Sequence, residues 1–190
     1  MIESFKNDIA HSLNVLRSGG LILYPTDTIW GIGCDATNSA AIEKVYQLKK
    51  RPDNKALILL CKDDIMLKNY VPNAQEEIFT YLKTVSQPTT VIYNDPEGLP
   101  KNFLQEGNTV AIRIPNDPFC HQLLQLFEKP IISTSANISG MYFSGLYSDI
   151  HEEIKNGVDY IVQHRNSEKN VGKPSSIIRM NEKGAIEKIR

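Results

Sequence analysis

The 190-residue sequence contains few of the residues from which metal centres and nucleophilic active sites are built. Its three cysteines, Cys34, Cys61 and Cys120, are widely spaced and match neither a zinc site nor a redox motif. Its four histidines are scattered along the chain, without the spacing of metal ligands. We therefore expect reduced thiols and no protein-bound metal.

Long apolar runs and a strong net charge are also missing. No stretch approaches the roughly 20 apolar residues that a membrane helix needs, and the start MIESFKND does not resemble a signal peptide. The net charge of −1 argues against a dedicated nucleic-acid wrapper, because such proteins are usually strongly basic. We expect a soluble, cytoplasmic protein that does not bind membranes, folded as one domain over residues 1–190.

Three common active-site motifs are absent as well. The chain has no GxxxxGK[ST] phosphate loop, no GxGxxG after a strand and no GxSxG nucleophile elbow. Covalent catalysis is therefore poorly supported, and the chemistry has to be sought in other polar groups.

The hydrophobic pattern predicts a mixture of helices and strands without strict alternation, typical of one α/β domain with a large, twisted, mixed parallel and antiparallel sheet and flanking helices. Helices are predicted over residues 2–16, from 38 or 39 to about 51, from a capping box at Asn73 onward, after Asp117-Pro118, and over 149–155. Strands are predicted at 21–24, 56–61, 89–93, 110–114, 131–134, 160–163, 175–178 and 185–189.

Hydroxyl and cationic side chains gather at the predicted strand ends and turns. The clusters are residues 25–28, the basic turn 49–55, the strand pair Thr109 and Arg113, residues 133–137, and 174–176. Each cluster alone is most simply a turn or cap, since Thr, Ser, Asp and Asn favour turns. Together they suit a phosphate or carboxylate ligand, because ligands of open α/β sheets bind at strand ends. The residues by themselves predict an anion-binding α/β domain.

Four segments, in order, resemble the YrdC-type threonylcarbamoyl-AMP synthase family. Residues 19–60 read GGLILYPTDTIWGIGCDATNSAAIEKVYQLKKRPDNKALILL, which is similar to the family's GG-apolar-PT[DE]T start and its KxRP end. TVAIRIP, then PIISTSANISG with its TSANxSG match, and PSSI follow later in the chain.

The resemblance implies a single α/β domain around a basic cavity. It also implies a reaction that joins L-threonine, bicarbonate and ATP into threonylcarbamoyl-AMP and pyrophosphate. A threonylcarbamoyl transferase complex would then carry the group to tRNA. Magnesium would arrive with ATP, and tRNA or double-stranded RNA binding is implied by some family members.

The same resemblance assigns roles to individual residues. Thr28, Arg113 and Ser175 would bind L-threonine, and Arg113 would do so by holding the carboxylate of the threonine. Ser176 is a secondary match. Lys49 and Arg51 would be the catalytic cations on the ATP phosphates. Further ATP contacts are implied for Lys55, Thr109, Ser135, Asn137, Ser144 and Arg190.

The sequence departs from the family pattern in places. Ala56 replaces a proline, and Ser176 replaces a threonine. MYFSGLYS follows Gly140 where the family often has a Pro-Ser-Pro-Thr-like run, so Ser144 is matched there by position. The chain stops at Arg190, so the family's optional C-terminal domain is not expected.

Three other functions remain open from the sequence. They are a non-catalytic RNA-binding module of the same fold, a paralogue acting on a different amino acid or nucleotide, and a phosphate-binding domain of a carbamoyl-transfer enzyme such as a hydrogenase-maturation protein. The basic turn 49–55 contains no aromatic residue for base stacking.

Overall fold

The structure is a computed structural model that describes residues 5–50, 57–170, 172–181 and 184–190. Four residues that the sequence singled out, Ile2, Arg51, Lys55 and Ala56, lie outside the described residues. In the part of the chain that the structure describes, no helix is both long and apolar enough to cross a membrane.

The helices begin where the chain supplies a cap. Asn38 accepts hydrogen bonds from the amides of Ala40 and Ala41, and Asp117 accepts one from the amide of Cys120 before a proline at the first helical turn. The helices α1 to α6 span Lys6–Arg17, Ser39–Leu48, Asp64–Lys68, Glu76–Leu82, Pro118–Phe127 and Glu152–Asn156.

Nine strands of the described residues form one mixed sheet in the order β7-β1-β2-β6-β3-β5-β4-β8-β9. Both parallel pairs, such as β3 with β5, and antiparallel pairs, such as β2 with β6, occur in it. The strands β1 to β9 span Ile22–Tyr24, Gly31–Asp35, Ile58–Leu60, Thr89–Asn94, Thr109–Arg113, Ile131–Ser135, Tyr160–Ile161, Ser176–Met180 and Ile186–Lys188. The expected α/β class with a large mixed sheet is confirmed.

Alternation along the strands divides the core into two layers. Ile22 and Tyr24 of β1 pack into the layer that α1 and α5 cover, whereas Leu23 between them packs into the other layer with α2. In β6, Ile131 packs into the α1–α5 layer, whereas Ile132 packs into the layer with α2. The α1–α5 layer covers only part of its face of the sheet, which leaves room for a cavity on the remainder.

Strand β2 was missed by the sequence pattern. Its residues GIGCD include two glycines, which weaken a strand in isolation. The glycines are required by close packing, because a Cβ at Gly33 would lie 2.7 Å from the ring of Tyr24 and one at Gly31 would lie 3.1 Å from the carbonyl oxygen of Thr134.

Two helix predictions were wrong in detail, and one helix was missed. The proposed capping box at Asn73 is not used, since α4 begins at Glu76 after Gln75, which forms no side-chain cap. The helix predicted over 149–155 is broken into a 3₁₀ turn, Tyr147–Asp149, and α6, which is capped by the ring of His151. Helix α3 was not predicted; it is a single short segment capped by Asp63 and too brief for a helical period.

Candidate functional site

A cavity of about 320 Å³ collects most of the hydroxyl and cationic groups that the sequence singled out. Its walls come from the β1–β2 loop, from β3, β5 and β6, from the loop after β6, and from the segments next to β8 and β9. The lining residues are Thr26, Thr28, Ile29, Trp30, Gly31, Ile58, Arg113, Ser133, Thr134, Ser135, Asn137, Met141, Phe143, Pro174, Ser175 and Arg190.

The cavity lies over a face of the sheet, close to where several of its strands end: Arg113 is the last residue of β5 and Ser135 is the last residue of β6. Ile58 is paired with both Ala111 and Ser133, which places it in the middle of the sheet. Arg113 lies two residues beyond Ala111 on β5, so alternation directs both side chains to the same face. The floor is therefore rigid sheet, and loops supply the walls.

Two threonines of the β1–β2 loop form a directed hydroxyl pair. The hydroxyl of Thr26 donates to the carbonyl of Ile29 at 2.8 Å and lies 2.9 Å from the hydroxyl oxygen of Thr28. Because the Thr26 proton is committed to Ile29, Thr28 is the donor within the pair. The oxygen of Thr28 then retains lone pairs that can accept a hydrogen bond from a ligand.

Arg113 is the buried cation of the cavity. Its side chain is only 4% exposed, and its Nε finds no hydrogen-bond partner among the described residues. Its Nη2 lies 3.4 Å from the Oδ1 of Asp27. A buried guanidinium with an unused donor is well suited to bind a carboxylate, since leaving such a donor unsatisfied is costly.

Lys49 does not line the cavity but supports one of its walls. It is fully buried, and its Nζ donates to the carbonyl of Ser135 and, at 2.7 Å, to that of Asn137. The hydroxyl of Ser135 donates to the Oδ1 of Asn137 at 2.5 Å, and the Nδ2 of Asn137 donates to the carbonyl of Met141 at 2.9 Å. Lys49 thus fixes the loop that presents Ser135 and Asn137.

The opposite wall is formed near β8. Ser175 is buried, with its hydroxyl 2.8 Å from that of Thr90, and its carbonyl accepts a hydrogen bond from Arg190 at 3.1 Å. Arg190 lines the cavity as well, although it is the last residue of the sequence. Ser176 is engaged in β8, where its amide donates to the carbonyl of Pro88.

Two of the residues matched by resemblance lie away from this cavity. Thr109 begins β5 at the far end from Arg113, and its hydroxyl donates to the carbonyl of Glu106. The hydroxyl of Ser144 accepts from the amide of Leu146, and its hydrogen bond lowers the pKa of Asp149. Arg51 and Lys55 lie outside the described residues, so their assignment stays a prediction.

Sequence reasoning missed several lining residues. Thr26 belongs to the cluster 25–28 but was given no role of its own, and Trp30, which lies inside the quoted segment 19–60, was passed over. Ser133 belongs to the cluster 133–137 but was also given no role, although it lies two residues before Ser135 on one strand and therefore shares its face. Ile58 and Phe143 carry no polar signal, so only the folded structure identifies them.

The chemistry of the lining limits what the cavity can bind. Among the residues that the structure describes, the lining has two guanidinium groups and six hydroxyl groups but no carboxylate side chain, and no group of three or more His, Cys, Asp or Glu converges. The three cysteines are free and buried. Burial raises the pKa of each thiol, which disfavours a thiolate nucleophile.

The fold and this cavity define an α/β protein with a cavity lined by cationic and hydroxyl groups over the face of a mixed sheet. The Sua5/YciO/YrdC family profile, described as telomere recombination, matches residues 14–190. This chain belongs to the Sua5/YciO/YrdC family. A relative from Pseudoalteromonas translucida named threonylcarbamoyl-AMP synthase is 36% identical, over 72% of this chain and 75% of its own length.

Two solved structures share the fold. Sua5 of P. abyssi complexed with L-threonine superposes with a TM-score of 0.83 at 25% identity, over 96% of this chain and 53% of that one. YciO of E. coli superposes with a TM-score of 0.82 at 25% identity, over 97% of this chain and 88% of that one. The chain thus spans about half the length of Sua5 and most of the length of YciO.

Proposed function

We propose that this protein is a threonylcarbamoyl-AMP synthase, an enzyme that joins L-threonine, bicarbonate and ATP and releases pyrophosphate. The observation that carries the proposal is the buried guanidinium of Arg113, which lines the cavity together with Thr28 and whose Nε finds no hydrogen-bond partner among the described residues. A carboxylate on Arg113 and an amine or hydroxyl proton on Thr28 are the contacts that a free amino acid offers. The names of the relatives, and the threonine complex of Sua5, support the same assignment.

The division of the cavity suggests how the two substrates are arranged. Threonine would occupy the side with Thr28, Arg113 and Ser175, where the described groups match its carboxylate and its donors. ATP would lie toward Ser135 and Asn137, with Arg51 and Lys55 contributing cations from the adjoining segment. Arg190 lines the wall next to Ser175, and it would reach the nucleotide from there.

The chemistry requires orientation and charge, and no covalent intermediate. The amine of threonine captures CO2 derived from bicarbonate and forms a carbamate. A carbamate oxygen then attacks the α-phosphorus of ATP, and pyrophosphate leaves. Negative charge builds on the phosphates, so fixed cations and amides stabilise the transition state. Lys49 would act through the Ser135–Asn137 loop, while Arg51 would be the phosphate cation.

Magnesium would enter as part of MgATP. The cavity lining offers hydroxyl and amide oxygens but no carboxylate, so most of the metal's ligands would be phosphate oxygens and water. The product would pass to a threonylcarbamoyl transferase complex that modifies tRNA, and the protein would work in the cytoplasm. Direct tRNA or double-stranded RNA binding is a secondary part of the proposal.

The test is an assay of pyrophosphate release with ATP, bicarbonate and each amino acid in turn. Release that depends on L-threonine is expected. Release that depends on another amino acid would instead favour a paralogue with a different substrate. RNA binding with a steep salt dependence and no release would favour the non-catalytic RNA-binding module. Arg51→Ala should raise the ATP requirement if Arg51 contacts the phosphates.

A further inference from the structure

Asp27 is the residue next to Thr28 that the proposed reaction leaves without a role. Its side chain is 7% exposed and faces the guanidinium of Arg113, with Oδ1 3.4 Å from Nη2. Asp27 is not part of the cavity lining; it borders a separate groove together with Ile114 and Asn116. The carboxylate therefore approaches Arg113 from outside the cavity and would not touch the substrate.

The carboxylate is held in place from a second side. Its Oδ2 accepts a hydrogen bond from the amide of Asn116 at 3.2 Å. Asn116 follows β5, the strand that carries Arg113, whereas Asp27 belongs to the β1–β2 loop that carries Thr28. One side chain thus links the two segments that supply the predicted threonine contacts.

The spacing within the pair leaves donors available. A distance of 3.4 Å is too long for a good hydrogen bond between a guanidinium and a carboxylate, and the Oδ1 of Asp27 finds no hydrogen-bond partner among the described residues. The Nε of Arg113 is unused too. Asp27 can compensate the buried charge of Arg113 without occupying the donors that a ligand would need.

We propose that Asp27 is a positioning residue that holds the guanidinium of Arg113 in register with Thr28 for the carboxylate of an amino-acid substrate. The inference rests on the proposed function. The part of its effect that depends on charge acts through Arg113, whereas the hydrogen bond from the amide of Asn116 does not require that charge. Loss of the carboxylate should change the use of threonine and leave the use of ATP as it was.

The experiment measures pyrophosphate release with Asp27→Asn, which keeps the size of the side chain and removes its charge. The KM for threonine should rise about tenfold, a factor that corresponds to about 1.4 kcal/mol. The KM for ATP and kcat at saturating threonine should change by less than about twofold. Asp27→Glu, which restores the charge, should recover part of the threonine affinity; it also decides the question if Asp27→Asn does not fold.

The matched control is Asp35→Asn. Asp35 is also a buried carboxylate in an ion pair, but its partner Lys129 lies outside the cavity. This control should leave the KM for threonine unchanged. In a variant that already carries Arg113→Gln, adding Asp27→Asn should raise the KM for threonine no further, because Asp27 acts through Arg113.

The outcomes separate this inference from the proposed function. If the unchanged protein shows no threonine-dependent release, the proposed function fails, and the role of Asp27 fails with it. If the unchanged protein is active but both Asp27 variants keep its KM for threonine, only the inference is overturned. It is also overturned if Asp27→Asn adds its full effect in the Arg113→Gln background, or raises the KM for ATP equally.

Discussion

Two buried carboxylates flank strand β2 and differ in how fully they are bonded. Asp35, at its end, uses both oxygens: Oδ1 accepts from the amide and hydroxyl of Thr37, and Oδ2 accepts from Lys129 at 2.9 Å. Asp27, before its start, has one oxygen bonded to Asn116 and the other only near Arg113. We expect the complete network to serve stability and the incomplete one to leave donors of Arg113 available for a ligand.

Removing the cation of the Asp27–Arg113 pair should have the largest effect on the threonine requirement. Arg113→Gln should raise the threonine requirement about tenfold or more, because a charge-assisted hydrogen bond contributes about 1.5–3 kcal/mol. Threonine titrations of pyrophosphate release provide the measurement. Arg179→Gln is the control, since Arg179 is exposed and pairs with Glu187 far from the cavity. Equal threonine requirements in both variants would contradict the assignment of Arg113.

Lys49 tests whether hydrogen bonds to the Ser135–Asn137 loop support the site. Lys49→Met should leave the carbonyl of Asn137 without the donor at Nζ, at a cost of about 1–3 kcal/mol for an unsatisfied buried group, while the carbonyl of Ser135 keeps the amide of Asn137 as a donor. The Tm should fall by roughly 2–4 °C per kcal/mol, and the ATP requirement should rise as the loop loosens. Lys50→Met, at an exposed neighbour paired with Glu153, should change neither quantity. An unchanged Tm in Lys49→Met would refute the role of Lys49 in fixing the Ser135–Asn137 loop.

Lys129 tests the complete hydrogen-bond network, which is that of Asp35. Lys129→Gln removes the ion pair of Asp35, yet Lys129 is about half exposed, so the loss of unfolding free energy should stay within about 1 kcal/mol. The threonine requirement should not change, because the pair lies outside the cavity. Denaturant unfolding and threonine titration measure the two quantities. A raised threonine requirement would mean that β2 transmits changes from one end to the other.

His164 provides the smallest expected effect. Partial burial, with Arg165 as a neighbouring cation, lowers the pKa of His164 below its ordinary value. A lowered pKa means that the unfolded chain binds the proton more readily, so stability should fall as the pH drops through the ordinary histidine range near about 6.5. The unfolding free energy of the protein minus that of His164→Gln should therefore decrease on acidification. A difference independent of pH would contradict this expectation.

The sequence predicted the elements whose signals are local. The cap Asp117, the start of α2 at 38 or 39, the strands around Val91 and Ile112, and the α/β class followed from periodicity and capping residues. Strand β2 did not, because Gly31 and Gly33 are selected by contacts with β1 and β6 that arise only after folding. The helix around 149–155 failed because a turn at Tyr147–Asp149 interrupts its pattern.

The sequence also predicted the part of the candidate site that is carried by local motifs. Thr28, Arg113, Ser135, Asn137 and Ser175 were singled out, and the structure brings all of them to one cavity. Lys49 was expected at the phosphates, yet its bonding to the Ser135–Asn137 loop depends on a tertiary contact across many residues of sequence. The Asp27–Arg113 pair depends likewise on two segments that are distant in the chain.

The most direct test of the central claim is the dependence of pyrophosphate release on L-threonine. The unchanged protein, given ATP, magnesium and bicarbonate, should release pyrophosphate only when threonine is added, and Arg113→Gln should shift the half-maximal threonine concentration upward by about tenfold or more. Release that is indifferent to threonine, or a threonine response that survives Arg113→Gln unchanged, would contradict the account.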